Sequence, residues 1–189
     1  MLKLKNSIFT RMITYREATS KDAEAIAQLH AQSWQQHYRG IMSDTYLDHK
    51  VLNDRIEVWQ ERFRNPKATQ HIIVATEDEK LCGFACTYTD DDPKWGTLLD
   101  NLHVLPPWQG RSIGKALICQ SAKWAQQQDA KTGFYLWVFE ENTAARAFYE
   151  RMGGINQEKV IVNNPDGGTA PVFRYVWPDP SVLINHLQE

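Results

Sequence analysis

Three strand-like segments follow one another in the middle of this sequence with no helical segment between them, and this order restricts the possible folds. They span 71–76, 81–89 and 97–105, and each is rich in β-branched, aromatic or other apolar residues. The polar segment 77–80 predicts a hairpin turn between the first two, and the Asp-Asp-Asp-Pro run at 90–93 predicts the end of the second. Strands joined by such short connections form an antiparallel meander.

On either side of the meander, strand patterns alternate with helical ones. A strand at 13–18 leads into a helix that begins at the capping-box pair Thr19 and Asp22, and a second helix follows it. After the meander the pattern predicts helix 113–128, strand 132–139, helix 142–152 and strands 159–162 and 172–177. A strand–helix–strand unit brings its strands together in parallel, so the third meander strand and the next strand should be parallel neighbours. The predicted fold class is α/β (α+β), a mixed sheet with helices on both faces.

Length and composition favour one domain without a membrane segment. The 189 residues suit a single domain, which we place at 13–189 after a short N-terminal extension at 1–12. The formal net charge of −2 lacks the basic excess of nucleic-acid-binding proteins, and there is no run of about 18 apolar residues. The extension lacks the continuous apolar segment of a signal peptide, so we expect a cytoplasmic protein without nucleic-acid or membrane partners.

The three cysteines, Cys82, Cys86 and Cys119, do not form a disulfide or metal-binding pattern. Cys82 and Cys86 lie in one strand-like run, and no pair of histidine ligands lies nearby. We expect all three to be buried as small apolar residues, and we expect no metal site.

The segment 102–115 predicts a strand that passes through a glycine-containing loop into a helix. The first backbone N–H groups of a helix lack partners and, with the helix dipole, form a site for an anion. Gly110 and Gly114 allow close backbone approach, and Arg111 and Lys115 add positive charge. The spacing matches neither the Walker loop nor the dinucleotide fingerprint. From this loop alone, an ordinary strand-to-helix turn and a phosphate site both stay open.

Two motifs resemble those of the GNAT superfamily of N-acetyltransferases. Gln109 and Gly114 match the first and last positions of its Gln/Arg-x-x-Gly-x-Gly/Ala acetyl-CoA loop, with Ser112 at the middle glycine position. The segment 142–154 is similar to its Asn-x-x-Ala-x-x-Phe-Tyr-x-x-x-Gly-Phe motif, with Gly154 in place of the final Phe. If the position of Ser112 requires a positive φ, a serine there costs energy.

The resemblance implies a GNAT-like fold in which the two central parallel strands splay apart and hold the pantetheine arm of acetyl-CoA between them. The arm would pair with free backbone groups of Leu102 and Val104, and Asn142 would hydrogen-bond it from the other side. The pyrophosphate would bind the loop and the helix start. The implied cofactor-binding residues are Leu102, Val104, Gln109, Gly110, Arg111, Ser112, Ile113, Gly114, Lys115, Asn142, Ala145 and Tyr149.

The resemblance also implies two catalytic residues. Tyr149 lies where the superfamily uses a tyrosine near the CoA sulfur, and it would stabilise the leaving thiolate. The carboxylate that often precedes the Leu102 position by four residues is missing, because Leu98 stands there. By strand alternation Asp100 should face the same side as Leu98 and Leu102, so we expect it to be the general base, or else a structurally paired carboxylate. His103 should point to the opposite face.

The front of the chain carries a further resemblance. The Ser-Trp-x-x-x-Tyr-x-Gly segment that starts at Ser33 is similar to one in a large group of bacterial GNAT proteins. In the superfamily, the first two helices form one wall of the acceptor site. The implied substrate-binding residues are therefore Trp34, Tyr38 and Asp100.

We therefore expect an N-acetyltransferase that moves the acetyl group of its cosubstrate acetyl-CoA to a primary amine of a small molecule or peptide. Two alternatives stay open. One is a CoA-binding GNAT-like sensor or interaction module that has lost catalysis, as the missing carboxylate at Leu98 allows. The other is an enzyme that uses a different acyl-CoA. Pairing of the chain as a homodimer also stays open.

Overall fold

The computed structural model describes residues 12–128 and 133–186. Its strands are β1 (Ile13–Glu17), β2 (Gln70–Glu77), β3 (Lys80–Asp92), β4 (Gly96–Val104), β5 (Phe134–Phe139), β6 (Ile155–Asn163) and β7 (Thr169–Trp177). Its helices are α1 (Ala23–His37), α2 (Asp44–His49), α3 (Val51–Arg64), α4 (Ile113–Gln127), α5 (Thr143–Arg151) and α6 (Ser181–Asn185). The predicted extension at 1–12, apart from Met12, and the predicted start of β5 at Thr132 lie outside the described residues.

The described strands form one seven-stranded sheet in the order β1-β2-β3-β4-β5-β7-β6. Neighbouring strands are antiparallel except β4 and β5, which are parallel. The predicted meander and the predicted parallel pair are therefore confirmed. The hairpin turn between β2 and β3 is confirmed too, and its Asp78 and Glu79 both have the positive φ that suits the twist of a two-residue hairpin.

Helices pack on both faces of the sheet, as predicted, and each face buries an apolar cluster. On one face α1 and α3 bury Ile26 and Trp59 against Phe84 of β3. On the other face Leu117 of α4 and Tyr149 of α5 pack in a second cluster with side chains of β5 and β7. The cysteines are fully buried and free, as expected of small apolar residues, at Cys82, Cys86 and Cys119.

β4 and β5 separate after a short contact. Their parallel pairing is restricted to Thr97 with Phe134 and Leu98 with Tyr135. Beyond Leu98 the strands diverge, so the later part of β4 has no strand partner on its β5 side among the described residues. A gap opens there beside the start of α4, at the carboxyl ends of the strands, where open α/β sheets commonly bind ligands.

A β-bulge in β4 changes which side chains share a face. Leu99 pairs with Thr87 of β3 and Asn101 pairs with the adjacent Cys86, so Asp100 is an extra residue in the ladder. The alternation is interrupted at this point. Leu98 therefore packs in the α1–α3 cluster, whereas Leu102 packs against the cluster of the opposite face. The expectation that Leu98, Asp100 and Leu102 face one side is wrong.

Other elements also differ from the sequence prediction, since β6 and β7 begin at Ile155 and Thr169, before the predicted strands. β3 does not end before the acidic run but continues to Asp92, with Asp90 in the left-handed region at φ +53°. Asp92 then accepts hydrogen bonds from the backbone N–H groups of Lys94 at 2.8 Å and Trp95 at 3.0 Å, so the run builds the β3–β4 turn. Helices α2 and α6 have six and five residues, too few for a helical period to appear in a sequence.

Candidate active site

A cleft of about 900 Å³ occupies the gap between β4 and β5. Its walls come from α1, α3, β4, the loop before α4, β5 and α5. Of the residues selected from the sequence, Arg111 does not line it. Those that do line it are Trp34, Tyr38, Asp100, Leu102, Val104, Gln109, Gly110, Ser112, Ile113, Gly114, Lys115, Asn142, Ala145 and Tyr149.

The loop that leads into α4 carries a row of unpaired backbone N–H groups along this cleft. Within the described chain, the N–H groups from Gly110 to Lys115 donate to no backbone carbonyl. The next one, that of Ala116, donates to the Ser112 carbonyl at 2.9 Å and begins the helical ladder. Together with the dipole of α4, such a row binds a phosphate-like anion.

Ser112 provides the N-cap of α4 in a left-handed conformation, with φ +60° and ψ 10°. Residues other than glycine adopt this region at a cost of roughly 1–2 kcal/mol, because Cβ approaches the following carbonyl. The cost foreseen for a serine with positive φ therefore applies here.

Ser112→Gly is expected to raise the free energy of unfolding by up to about 1 kcal/mol, because glycine adopts this conformation without the Cβ penalty. Ser43 is the matched control, since it precedes α2 with a φ of −63° that any residue adopts. Ser43→Gly should lower stability or leave it unchanged. Urea unfolding of the three proteins checks this, and a Ser112→Gly protein less stable than the wild type would contradict the strain assignment.

Arg111 anchors the loop instead of adding charge to the cleft. Its Nη2 lies 2.6 Å from Oε1 of Glu77, a carboxylate that is 6% exposed at the end of β2. Trp108 Nε1 donates to the other oxygen of Glu77 at 2.9 Å, and Gln109 Nε2 donates to the Val104 carbonyl at 2.9 Å. This placement differs from the expectation that Arg111 contributes to an anion site, and it leaves Lys115 as the cation beside the N–H row.

Helix α5 presents Asn142, Ala145 and Tyr149 to the cleft. Asn142 is the N-cap of this helix, and its Oδ1 accepts a hydrogen bond from the Ala145 N–H at 3.2 Å. Tyr149 is 8% exposed, and burial, with a further contribution from Tyr38, raises its pKa above the ordinary tyrosine value. The phenol therefore stays protonated at neutral pH and can donate a hydrogen bond into the cleft.

Asp100 is paired with an arginine that sequence reasoning missed. Its Oδ2 lies 2.7 Å from Nη1 of Arg62, which also donates to Asn101 Oδ1 at 2.9 Å and stacks 4.8 Å above the Trp59 ring. Among the described residues that line the cleft, Asp100 is the one carboxylate. The sequence contained a signal for Arg62, because positions 55, 59 and 62 fall on one face of a helix.

His103 also lines the cleft, contrary to the expectation that it points away from the Asp100 side. Its Nδ1 lies 2.8 Å from Ser33 Oγ on α1, and its ring packs 4.6 Å from the His30 ring. The bulge at Asp100 explains the error, because it adds a residue between the positions used to assign the faces.

The histidines of this wall are neutral at pH 7. Burial, reinforced by His37 and Arg55, lowers the pKa of His103 to about 3. Burial also lowers the pKa of His30 well below its ordinary value, and its Nδ1 accepts a hydrogen bond from Trp59 Nε1 at 3.0 Å. A histidine in this state is a poor acceptor for the proton of an amine.

Aromatic rings and a second arginine form the end of the cleft next to α1. The Trp34 and Tyr38 rings lie 5.4 Å apart, and Phe139 of β5 packs 4.8 Å from Tyr38. The guanidinium carbon of Arg55 lies 4.3 Å from the centre of the Trp34 ring. This end is therefore aromatic, largely apolar and positively charged at one point.

The cleft thus joins an anion-binding helix start to a chamber that contains a protonated phenol and a carboxylate. Within residues 12–128 and 133–186, no group of three or more His, Cys, Asp or Glu side chains is arranged to hold a metal ion. In the same ranges no helix is long and apolar enough to cross a membrane. The donors and acceptors suit the transfer of a group from a phosphate-containing carrier to a nucleophile.

Comparison with known proteins identifies the family. Residues 24–154 match the acetyltransferase (GNAT) family. Over 178 residues the chain is 28% identical to the uncharacterized N-acetyltransferase YuaI of Bacillus subtilis (strain 168), covering 91% of this chain and 96% of that protein.

Solved structures share the fold. The PaiA N-acetyltransferase of Thermoplasma acidophilum, determined with coenzyme A, has a TM-score of 0.70 at 19% identity and covers 88% of this chain and 99% of its own. Arabidopsis thaliana NAA60, determined with acetyl-CoA, has a TM-score of 0.65 at 20% identity and covers 88% of this chain and 98% of its own. Since the family match spans more than two-thirds of the sequence, the chain belongs to the acetyltransferase (GNAT) family and is an acyltransferase.

Proposed function

We propose that this enzyme transfers the acetyl group of acetyl-CoA to a primary amine of a small molecule or peptide. One observation carries the proposal. A single cleft brings together an unpaired row of N–H groups at the start of α4, a protonated Tyr149 and the carboxylate of Asp100.

The residues present fit the cofactor. The N–H groups from Gly110 to Lys115, with the Lys115 side chain, would hold the pyrophosphate. The edge of β4 around Leu102, which faces the gap, would pair with the pantetheine arm as an added strand does. Asn142 would donate to the arm through its Nδ2, since its Oδ1 is engaged in capping α5. Acetyl-CoA bound in this way supplies the activated acetyl thioester.

Asp100 would receive the proton of the amine, directly or through a water. A lysine-like amine has a pKa near 10.4, so its deprotonation at pH 7 costs about 4.6 kcal/mol. A carboxylate in the cleft lowers this cost by accepting the proton while the amine attacks. The ion pair with Arg62 fixes the carboxylate at 2.7 Å from the guanidinium and leaves Oδ1 for the acceptor.

Tyr149 would stabilise the negative charge that develops on the sulfur. Proton transfer from an unperturbed tyrosine to a thiolate is uphill by roughly 2 kcal/mol, and a raised tyrosine pKa makes it more so. The contribution of Tyr149 is therefore a strong hydrogen bond to the thiolate rather than complete proton transfer.

Tyr149→Phe should lower kcat by about 10- to 100-fold and leave the affinity for acetyl-CoA nearly unchanged, because the hydroxyl acts as the thiolate forms. Tyr175→Phe is the matched control. Its hydroxyl donates to Glu150 at 2.5 Å and it does not line the cleft, so its removal should leave kcat unchanged. Amine-dependent release of the CoA thiol measures kcat, and calorimetry measures affinity.

Wild-type turnover in the Tyr149→Phe protein would remove Tyr149 from the chemistry. Tight binding of acetyl-CoA without transfer to any amine would instead support a CoA-binding module that has lost catalysis.

A further inference from the structure

Arg55 is a buried cation whose hydrogen-bonding groups are largely unused. It is 8% exposed and lies on α3, where it lines the cleft beside Trp34. Its Nη2 lies 3.0 Å from Oδ2 of Asp54, its neighbour in sequence. Its side-chain hydrogen bonds go to Asp54 and to Tyr46, and among the described residues the buried Nε has no partner. A guanidinium carries five N–H donors, so most of its capacity is unmet.

The neighbours of Arg55 do not supply the missing partner. Its carboxylate neighbour, Asp54, also accepts the hydroxyl of Tyr46 on the same oxygen. The Trp34 ring covers one face of the guanidinium at 4.3 Å, which stabilises the cation but leaves its N–H edge available. A buried charge with unsatisfied donors is costly unless a partner arrives.

Arg62, another arginine of the cleft, is paired with a carboxylate that itself lines the cleft. Arg62 pairs with Asp100 at 2.7 Å, donates to Asn101 at 2.9 Å and stacks on Trp59. The lining of the cleft carries more cations than carboxylates, and the carboxylate that pairs with Arg55, Asp54, lies outside the lining. His37 and His103 are neutral and add no charge beside Arg55.

We infer that the amine acceptor carries a carboxylate, which binds the N–H edge of Arg55 while the rest of the acceptor packs on Trp34 and Tyr38. The inference rests on the proposed acetyl transfer and adds the chemical class of the acceptor. A planar guanidinium donates two parallel hydrogen bonds to a carboxylate, which fixes orientation as well as position. The anionic carrier has its own site at the start of α4, which lies on the other side of the cleft from α3.

Matched acceptors test the inference. L-phenylalanine, L-leucine and L-lysine are each compared with the corresponding amino-acid amide, and transfer is followed by release of the CoA thiol. The amides keep the side chain and lose the carboxylate charge, and their α-amine is less basic, which favours the amides and so cannot produce a preference for the acids. We expect the acids that react to have a kcat/KM at least about 10-fold above that of their amides. One well-placed charge-assisted hydrogen-bonded pair contributes about this factor.

Arg55→Gln should abolish that preference and leave the affinity for acetyl-CoA unchanged. The ratio of acid to amide does not depend on how much of a variant is folded, so partial loss of stability leaves the test intact. Arg64→Gln is the control on the same helix, because that side chain is 67% exposed, pairs with Glu61 and lies outside the cleft lining. It should keep the wild-type ratio.

Amides that react as well as the acids, or a preference that survives in Arg55→Gln, would overturn the inference while leaving acetyl transfer to amines intact. Loss of acetyl-CoA affinity in Arg55→Gln would assign the arginine to the cofactor and overturn it as well. Failure of the wild type to acetylate any amine would overturn the proposed function itself.

Discussion

Gly114→Asp is expected to weaken acetyl-CoA binding by about 100-fold, or roughly 2.7 kcal/mol. The carboxylate would stand among the N–H groups proposed to hold the pyrophosphate and would repel it. The backbone itself tolerates the change, since a Cβ at Gly114 would meet Phe148 Cζ and Val104 Cγ2 at 3.8 Å, an ordinary contact distance. The loss should therefore come from the ligand and not from misfolding.

Stability of the protein without ligand separates these two causes. An aspartate in the first turn of α4 interacts favourably with the helix dipole by about 0.3–1 kcal/mol, so the unliganded variant should be at least as stable as the wild type. Gly114→Asn is the matched control, because it adds the same volume without the charge and should bind with intermediate affinity. Calorimetry with acetyl-CoA checks the prediction, and unchanged affinity in Gly114→Asp would exclude this loop as the pyrophosphate site.

Asp100→Asn should lower kcat with an amine acceptor by on the order of 100-fold, because asparagine keeps the size and most hydrogen bonding but cannot take a proton. Asp48 is the matched control. It is also an ion-paired aspartate, held by Arg39 on the surface, and it lies outside the cleft lining. Asp48→Asn should leave kcat unchanged.

The pH–rate profile distinguishes a base from an anchor. If Asp100 accepts the proton, the profiles of the wild type and Asp100→Asn should differ on the acidic side with the same acceptor. Superimposable profiles would place the base elsewhere. A higher KM for the amine with an unchanged kcat would make Asp100 a binding group for a cation and would contradict its role as base.

The sheet topology could be predicted from the sequence because the patterns typical of strands and helices are regular over many residues. The strand runs of the meander and the strand–helix–strand unit predicted the antiparallel and parallel pairings that the sheet contains. The loop and α5 motifs selected residues that come together in one cleft although they are far apart in the chain. Patterns that extend over many residues can still be recognised when a single position departs from them.

Structural features that depend on a single residue could not be predicted from the sequence. The bulge at Asp100 has no glycine to mark it, yet it reverses the face of β4 and brings His103 into the cleft. The pairing of Arg111 with Glu77 joins two segments far apart in sequence, so no local pattern predicts it. The positive φ of Ser112 likewise follows from the loop geometry, which only the structure supplies.

The central claim is that the cleft between β4 and β5 binds acetyl-CoA and that the acetyl group of acetyl-CoA is transferred to an amine nitrogen. The direct measurement is mass spectrometry of an amine mixture incubated with the wild-type protein and acetyl-CoA, with Gly114→Asp protein as the comparison. The account predicts an N-acetylated amine that forms with wild-type protein in step with release of the CoA thiol, and far more slowly with Gly114→Asp at subsaturating acetyl-CoA. Equal product formation by Gly114→Asp, or thiol release by the wild type without any acetylated amine, would contradict it.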